Sequence, residues 1–336
     1  MMPRRLKVTA LVDAAVVPSG DPQFEQAEES RITEYHVIST LRELGYKVSV
    51  LATGDDIAVV VNTLTQNRPD IVFNLTEQFA GDRRLDKNVA GVLEMLNIPF
   101  TGTSANGLML CRDKLLCKQL LSLHKIRVPG FVSLPVGKKA RIPKAIRYPM
   151  VIKPAFEDGS EGISNASVVA NESALRERAE FVHERWQQAA IAEEYIEGRE
   201  LYVAILGNKR LTVFPIRECS LASGSDSGPQ LATYRVKWNK EYREKHNIEF
   251  GFAKLSPETV EAISRTCKKV YRVLQIHDYG RVDLRLTPDG KLVVLEANPN
   301  PDLAYGEEIA EAAAKGGVDY ETLIARILKL ALRRYA

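Results

Sequence analysis

Residues 280–298 read GRVDLRLTPDGKLVVLEAN, and this stretch decides the fold. Two runs of alternating polar and apolar residues flank residues 287–290 (TPDG), a sequence typical of a β-turn. The stretch predicts a hairpin in which residue 287 pairs with 290, 286 with 291, 283 with 294 and 281 with 296. Directly opposed residues share a face of a hairpin. The predicted polar face carries Arg281, Asp283, Glu296 and Asn298, and the predicted apolar face carries Val282, Leu284, Val293 and Leu295.

The polar face of this hairpin predicts a cation site. In the predicted register Asp283 and Glu296 are diagonal neighbours about 7 Å apart, and two carboxylates at that distance repel unless a cation lies between them. Oxygen ligands from Asp, Glu and Asn suit Mg²⁺, which proteins hold with few carboxylates plus nucleotide phosphates. The alternative is a solvated polar face on which Arg281 pairs with Glu296 across the strands.

Two earlier segments have the residue types of a nucleotide site. Lys153 ends the apolar strand predicted at 150–153, directly before a glycine-bearing loop at 157–162, where side chain and backbone N–H groups can meet phosphate. Residues 193–200 (EEYIEGRE) place polar groups around a strand end, as an adenine or ribose site requires. Taken alone, Lys153 is equally consistent with an ordinary surface lysine. Residues 193–200, taken alone, are equally consistent with an exposed turn. The chain has no GxxxxGK[ST] sequence and is not a P-loop protein.

The first hundred residues alternate strand and helix patterns, which predicts a parallel sheet covered by helices. Strands are expected at 6–12, 47–51, 70–75 and 98–101. We predict an α/β protein in three parts: an N-terminal α/β domain over 1–108, a central lobe over 109–190 and a C-terminal lobe over 191–336, which begins with a strand at 190–195. An acidic loop is expected at 18–31 and a mobile Gly/Ser-rich loop at 220–229.

Composition excludes several classes of protein. The 336 residues contain 46 Lys and Arg and 43 Asp and Glu, a net charge of +3. This balance argues against a nucleic-acid or membrane-surface binder. Four cysteines without zinc or disulfide spacing predict reduced, buried thiols. No apolar run reaches 18 residues and no signal peptide begins the chain, so a cytoplasmic location is expected.

Taken in order, these segments resemble the ATP-grasp superfamily and, within it, the D-alanine–D-alanine ligases. The segments are 113–114 (DK), 151–154 (VIKP), 157–162, 193–200, 280–283 (GRVD) and 295–298 (LEAN). The resemblance implies an ATP-grasp fold whose central and C-terminal lobes clasp ATP. It implies a ligase that joins small-molecule carboxylate and amine substrates, amino acids among them, through an acyl phosphate. It also implies two Mg²⁺ ions, or Mn²⁺ in their place, and a homodimer, which is common in the family.

The resemblance also implies a role for each matching residue. The phosphate lysines are Lys114, Lys153 and Lys237, the last on a loop that closes over the site. The adenine-side segment contains Glu193, Glu194 and Ile196, and Glu200 is the ribose acid. The magnesium ligands are Asp283, Glu296 and Asn298, with Glu296 bridging. The reaction centre comprises Arg281, which stabilises the oxyanion, Glu34, which anchors the first substrate's ammonium, Ser160 of the glycine loop, and Lys237.

The chain departs from these ligases at the acceptor end. Trp238 stands where the family usually has tyrosine, Asp302 stands at a glycine position, and Glu307 stands where a serine holds the acceptor carboxylate. A like-charge contact at 4 Å costs about 1 kcal/mol in water and about 4 kcal/mol at an effective dielectric of 20. We therefore predict that the acceptor is not D-alanine. The predicted acceptor either lacks that carboxylate or presents an ammonium or guanidinium at this position. The alternative is that both acids turn outward or pair with Arg235 or Lys315.

Two other functions fit the same segments. One is a different ATP-grasp enzyme that uses bicarbonate or a protein side-chain carboxylate. The other is a non-catalytic nucleotide-binding module, although a pure binder would not need the full polar face of the hairpin.

Overall fold

A computed structural model describes residues 5–14, 33–138, 142–143, 146–220 and 231–336, except for the side chains of Lys237, Trp238 and Lys240. The strands are β1 (Lys7–Asp13), β2 (Lys47–Thr53), β3 (Ile71–Asn74), β4 (Phe131–Leu134), β5 (Met150–Pro154), β6 (Val168–Val169), β7 (Ala190–Glu194), β8 (Arg199–Gly207), β9 (Leu211–Val213), β10 (Arg217–Ser220), β11 (Glu249–Phe252), β12 (Tyr279–Leu286) and β13 (Leu292–Asn298). The helices are α1 (Thr33–Glu43), α2 (Ile57–Gln66), α3 (Asp86–Met95), α4 (Ala105–Arg112), α5 (Lys114–Leu123), α6 (Glu172–Trp186), α7 (Tyr234–Trp238), α8 (Lys240–Lys245), α9 (Pro257–Val273), α10 (Glu308–Lys315) and α11 (Tyr320–Tyr335).

Parts of the predicted loops at 18–31 and 220–229 lie outside the described residues; of these segments only Ser220 is described. Within the described part of the chain, no helix has the length and apolar character needed to cross a bilayer. The four cysteines are free and buried, as predicted.

The N-terminal lobe is the predicted parallel sheet, with strand order β2-β1-β3. Residues Val8–Asp13 of β1 are all buried, because helices cover both faces of the sheet. The helices α1 and α11 pack on one face, while α2 and α3 pack on the other. The predicted fourth strand at 98–101 is reduced to a single parallel bridge between Phe100 and Val72. Since α11 belongs to the C-terminal part of the chain, the two ends of the protein share one core.

The central lobe is a four-stranded antiparallel sheet with strand order β4-β7-β5-β6, covered by α6. Its strand β7 pairs with both β4 and β5, although the sequence analysis placed that strand in the C-terminal lobe. We therefore propose that the C-terminal lobe begins after Glu194 rather than at 191. The crossover at 195–198 then joins the two lobes directly.

The C-terminal sheet has the order β11-β10-β8-β12-β13, with β9 also paired to β8. The predicted turn is confirmed, since the N–H of Gly290 donates to the carbonyl of Thr287 at 2.9 Å. The predicted register is wrong, because Thr287 pairs with Lys291 and leaves Gly290 as an extra residue at φ +79°. A second irregularity is a bulge in β13. Leu295 is an extra residue between Val294, which pairs with Leu284, and Glu296, which pairs with Asp283.

These two insertions bring the predicted polar residues into direct opposition. Arg281 pairs with Asn298, and Asp283 pairs with Glu296, rather than lying diagonally. The four side chains share one face, as predicted. The apolar face is corrected to Val282, Leu284, Val294 and Ala297.

Candidate active site between the lobes

The polar face of the β12–β13 hairpin borders two cavities. Asp283 and Glu296 line the first cavity, which lies between the central and C-terminal sheets. Arg281 and Asn298 line the second, which has a volume of about 330 Å³ and reaches the N-terminal lobe. The glycine loop borders both cavities, with Ser160 on the first and residues 158–159 on the second. A group bound in one cavity therefore meets a group bound in the other at this hairpin.

The walls of the first cavity are apolar in the middle and charged at the ends. Val151, Ile163, Leu231 and Leu295 form its apolar walls. Leu295 reaches this position because the extra residue in β13 turns it away from the predicted apolar face. Lys153 and Glu200 are also in its lining. Apolar walls with a few convergent polar groups are typical of small-ligand sites.

Three charges are buried together at the phosphate end. Lys153 Nζ lies 3.0 Å from Glu193 Oε2, and Lys118 Nζ lies 3.1 Å from Glu193 Oε1. Lys118 also donates to the carbonyl of Leu295 at 2.6 Å. Burial would raise the pKa of Glu193, but the two lysines outweigh it and lower that pKa. The set carries one net positive charge, which suits a phosphate at this end.

Lys118 was missed in the sequence analysis, although it follows Lys114 by one helical turn on α5. Lys114 is the first residue of that helix, which Asp113 caps by accepting from the N–H of Leu116 at 3.0 Å. The Lys114 ammonium donates to the carbonyl of Glu157 in the glycine loop. Burial lowers the pKa of Lys114, and Lys153 acts in the same direction. The structure therefore brings two of the predicted phosphate lysines together.

The opposite end of the first cavity is built by the crossover between β7 and β8. Glu194, Ile196 and Glu200 line it, and their adenine-side and ribose roles stay predictions. The Glu194 carboxylate also accepts from the backbone N–H groups of Gly130 and Arg147 at 3.2 and 2.8 Å. These bonds hold the Glu194 side chain to the central lobe. Arg285, which also lines this end, was missed, although it follows Arg281 and Asp283 at the period-2 spacing of their strand face.

The predicted metal ligands present two carboxylates and one amide. Asp283, Glu296 and Asn298 lie together on the hairpin face, and Asn298 Nδ2 lies 3.3 Å from Asp283 Oδ2. The structure, in its described part, contains no group of three or more His, Cys, Asp or Glu side chains suited to a metal. An all-oxygen set with only two carboxylates fits Mg²⁺, which takes its other ligands from phosphate and water. These residues therefore fit the predicted ion.

Arg281 is held between two carboxylates. Its Nε and Nη2 donate to Asp283 at 2.7 and 2.9 Å, and its Nη1 donates to Glu308 at the start of α10. The predicted alternative partner, Glu296, lies directly opposite Asp283 instead. Glu308 was missed in the sequence analysis, which assigned the neighbouring acid, Glu307, to the site. The three bonds use three of the five N–H groups of a guanidinium, which leaves two for an anion in the second cavity.

Ser160 joins the glycine loop to the segment before α7. It is buried, its φ is +64°, and its hydroxyl donates to the carbonyl of Ala232 at 2.9 Å. The N–H of Tyr234 donates to the carbonyl of Ile163 at 3.2 Å. A non-glycine residue at positive φ is a strained conformation often found at functional sites. The predicted roles of Lys237 and Trp238, on α7, stay predictions because their side chains lie outside the description.

The N-terminal lobe brings the Glu77 carboxylate to the second cavity, whereas Glu34 is not among the residues that line it. Burial raises the pKa of Glu34, in the first turn of α1, to about 7, and the charges of Asp13 and Asp302 act in the same direction. Desolvation within the cavity raises the pKa of Glu77 to about 7 even though its side chain is 58% exposed, with Asp158 adding to the rise and Arg83 opposing it. Both glutamates are therefore poised to change charge near neutral pH.

Glu77 was missed, and the position of its strand could have found it. It follows β3 at the carboxyl end of the parallel sheet, the edge at which open α/β sheets bind ligands. Asp13 ends β1 at the same edge, and its carboxylate accepts from the N–H of Glu77 at 3.1 Å.

The two acids predicted to read the acceptor occupy different positions. Asp302 lines the second cavity and accepts from Thr33 Oγ1 at 2.5 Å and from the N–H of Ala304 at 2.7 Å. Glu307 is exposed at the N-cap of α10, outside the lining of that cavity. Lys315, proposed as an alternative partner, lies over the ring of Phe252 at 5.6 Å. Of these two acids, Asp302 is therefore the one that lines the second cavity.

Two arginines in the second cavity are engaged by acids. Arg83 and Arg112 both bind Asp158 of the glycine loop, and Arg112 also binds Asp86 at the start of α3. Arg83 lies 3.7 Å from Glu77. These ion pairs tie the glycine loop to the N-terminal lobe.

A family model described as D-ala D-ala ligase C-terminus matches residues 124–329. The chain belongs to this family. It is a ligase with the ATP-grasp fold, as the resemblance predicted.

Individual relatives agree with this assignment. The uncharacterized protein y4sG of Sinorhizobium fredii is 32% identical over 307 residues, which cover 89% of this chain and 87% of that protein. The D-alanine–D-alanine ligase of Xanthomonas axonopodis pv. citri is 28% identical over 302 residues, covering 88% of each chain. The crystal structure of D-alanine–D-alanine ligase from Bacillus anthracis complexed with ATP superimposes with a TM-score of 0.76 at 21% identity, covering 98% of both chains.

Proposed function

We propose that this ligase uses ATP to join a carboxylate to an amine through an acyl phosphate, and that its acceptor differs from D-alanine. One observation carries the proposal: a single hairpin face reaches both cavities, with Asp283 and Glu296 in the first, and Arg281 and Asn298 in the second. ATP in the first cavity would present its γ-phosphate to a carboxylate in the second. The non-catalytic alternative leaves this arrangement unexplained.

The first step activates the carboxylate. One of its oxygens attacks the γ-phosphorus of ATP, ADP leaves, and an acyl phosphate forms. Lys153 lines the first cavity, and Lys114 lies near enough for the charge of Lys153 to add to burial in lowering its pKa. Both lysines would neutralise phosphate charge. Glu193 binds Lys153 at 3.0 Å. Asp283, Glu296 and Asn298 would hold Mg²⁺, which when bound offsets the charge on the transferring phosphoryl group.

The second step forms the amide bond. The amine, having lost a proton, attacks the acyl carbon, and phosphate leaves as the tetrahedral intermediate collapses. Arg281 lies between the two cavities with two N–H groups available within the described residues. A donor aimed at the developing oxyanion typically contributes about 10²–10³ in rate. The bond between Ser160 and the segment before α7 joins the glycine loop to that segment. Closure of this border around bound substrates would limit the access of water, which hydrolyses acyl phosphates.

The acidity of the second cavity supports an acceptor that carries positive charge. Asp302 lines it, and Glu77 lines it opposite the hairpin. The raised pKa values of Glu34 and Glu77 have like-charge repulsion among their causes, which an ammonium or guanidinium would relieve. An acceptor carboxylate at Asp302 would instead add a third negative charge to these acids.

The test is a matrix of substrates. The protein with Mg²⁺ and ATP is offered pairs of D- and L-amino acids, diamino acids, guanidino compounds and simple amines. ADP and phosphate are measured, and products are weighed by mass spectrometry. We expect ADP release to require two substrates, to yield an amide mass, and to be fastest with a cationic acceptor. Fastest turnover with D-alanine alone would overturn the acceptor proposal, and ADP release with bicarbonate or a protein, but no small amide, would favour the other ATP-grasp reactions.

A further inference from the structure

Arg285 is a buried arginine, 3% exposed, at the base and sugar end of the first cavity. Its Nη1 donates to the carbonyls of Ile196 and Gly198 at 3.3 and 3.0 Å. Its Nη2 donates to Glu200 Oε2 at 2.5 Å. Its guanidinium also lies 5.7 Å from the ring centre of Tyr195. One side chain therefore contacts three residues of the crossover between the central and C-terminal lobes, and Glu200 of β8.

The crossover lies close against the strand that carries Arg285. Gly198 has φ +145°, and a Cβ built on it would lie 2.3 Å from the carbonyl oxygen of Leu286, the residue after Arg285. Two residues of the crossover, Tyr195 and Ile196, line the first cavity, and Glu200 follows in β8. The contacts that Arg285 makes therefore connect it to three of the residues that line this cavity.

Arg285 also fixes the position of the Glu200 carboxylate. Glu200 is buried, and its other oxygen accepts from the Tyr202 hydroxyl at 2.9 Å. With Arg285 and Tyr202 each bound to one oxygen, the carboxylate is held in one orientation and keeps lone pairs for further donors, such as sugar hydroxyls.

We infer that Arg285 is a positioning residue that makes the first cavity selective for the ribose of its nucleotide, by holding the crossover and orienting the Glu200 carboxylate. The inference rests on the proposed function only in that ATP occupies the first cavity. Glu200 is the group that would touch the ribose, and Arg285 acts through it. The inference predicts that Arg285 affects discrimination between sugars, and not the chemical step.

The experiment measures binding rather than turnover. Dissociation constants of ATP, 2′-deoxy-ATP and 3′-deoxy-ATP are determined by calorimetry with Mg²⁺ for the wild type, Arg285→Met and Arg285→Lys. We expect the wild type to prefer ATP to at least one deoxy analogue. In Arg285→Met the affinity for ATP should fall about tenfold, and the preference for ribose should narrow at least threefold. Arg285→Lys keeps the charge, but one ammonium group cannot donate to Glu200 and both carbonyls in the geometry of a guanidinium. We therefore expect a smaller change in affinity and in sugar preference, in the same direction.

The control is Arg265→Met, on the exposed face of α9, where Arg265 pairs only with Glu261 one turn away. It removes the same charge and should leave all three affinities unchanged. Circular dichroism and thermal unfolding establish that each variant folds, and Arg285→Lys decides the matter if Arg285→Met does not. An unchanged sugar preference in folded variants, or no preference in the wild type, overturns the inference. Failure of the wild type to bind ATP overturns the proposed function instead.

Discussion

Glu193 and Glu34 are both glutamates beside the proposed reaction centre, and their pKa values move in opposite directions. Burial would raise both. At Glu193 the ammonium groups of Lys118 and Lys153 outweigh burial and lower the pKa. At Glu34 the neighbouring charges come from Asp13 and Asp302, and the pKa rises to about 7. The charge of Glu193 is therefore compensated within the protein, whereas for Glu34 we propose that a positively charged substrate supplies the compensation.

The largest expected effect comes from a substitution on the hairpin face that borders both cavities. Asp283→Asn removes a predicted metal ligand and one of the two carboxylates that hold Arg281. We expect turnover of ATP with the best substrate pair to fall by about 10³ or more, because phosphoryl transfer and the oxyanion donor are both disturbed. The measurement is steady-state ADP release.

Asp289→Asn is the matched control. It makes the same substitution in the turn of the same hairpin, where the side chain pairs with Thr287 and Lys291. It should turn over at close to the wild-type rate. If both variants behave alike, the hairpin face is not the reaction centre.

The second prediction concerns the charge balance of the nucleotide end. Glu193→Gln leaves two buried ammonium groups without their carboxylate, and breaking a buried pair in this way costs about 3–5 kcal/mol. Glu194→Gln is the matched neighbour, since its partners are two neutral backbone N–H groups, and it should cost about 1 kcal/mol. Urea unfolding of each variant, with and without ATP, measures both. Equal losses at the two positions would contradict this account.

The fold could be predicted largely from local patterns. Strand β3 lies within the predicted range 70–75, and the parallel sheet follows from alternating elements. The errors arose where a single residue changes the geometry. Gly290 and Leu295 each add one residue to a strand of the hairpin, and a period-2 pattern cannot reveal such insertions. The sequence of β7 likewise predicts a strand but does not indicate which sheet it joins. Its pairing with β4 and β5 assigns it to the central lobe.

Residues of the candidate site were predictable where they belong to a recognisable motif. They were not predictable where their role depends on a partner that is distant in the chain. Lys153, Glu200 and Asp283 lie in recognisable segments and line the first cavity. Lys118 and Arg285 carry only their spacing from Lys114 and from Asp283 as a local signal; their roles come from partners 75 and 85 residues away, Glu193 and Glu200. Long-range ion pairs of this kind leave no local pattern.

The third prediction tests whether Asp302 and Glu307 read the acceptor. Because Asp302 lines the second cavity and Glu307 is exposed outside it, their variants should differ. We expect Asp302→Gly to raise the KM of a cationic acceptor about tenfold, the loss of one charge-assisted bond. Glu307→Ser should change that KM less than threefold. Both are compared by steady-state kinetics at saturating ATP. An unchanged KM in Asp302→Gly would show that neither acid reads the acceptor.

The smallest effect is a pH dependence of substrate binding. Since the pKa values of Glu34 and Glu77 are about 7, both become ionised as the pH rises from 6 to 8. We expect the KM of an ammonium-bearing substrate to fall severalfold over this range, and Glu34→Gln to flatten the profile. The KM is the informative quantity, because kcat also rises as the attacking amine loses its proton.

The same shift predicts a matching dependence of stability. The native-state pKa of Glu34, about 7, lies above its ordinary value of 4.5, so the native protein binds more protons than the unfolded chain between these values. The free energy of unfolding should therefore fall as the pH rises through that window. Glu34→Gln should weaken this fall, and a saturating cationic substrate should oppose it by pairing with the ionised carboxylate. A fall that persists unchanged in both cases would mean that like-charge repulsion at Glu34 does not prepare the site for positive charge.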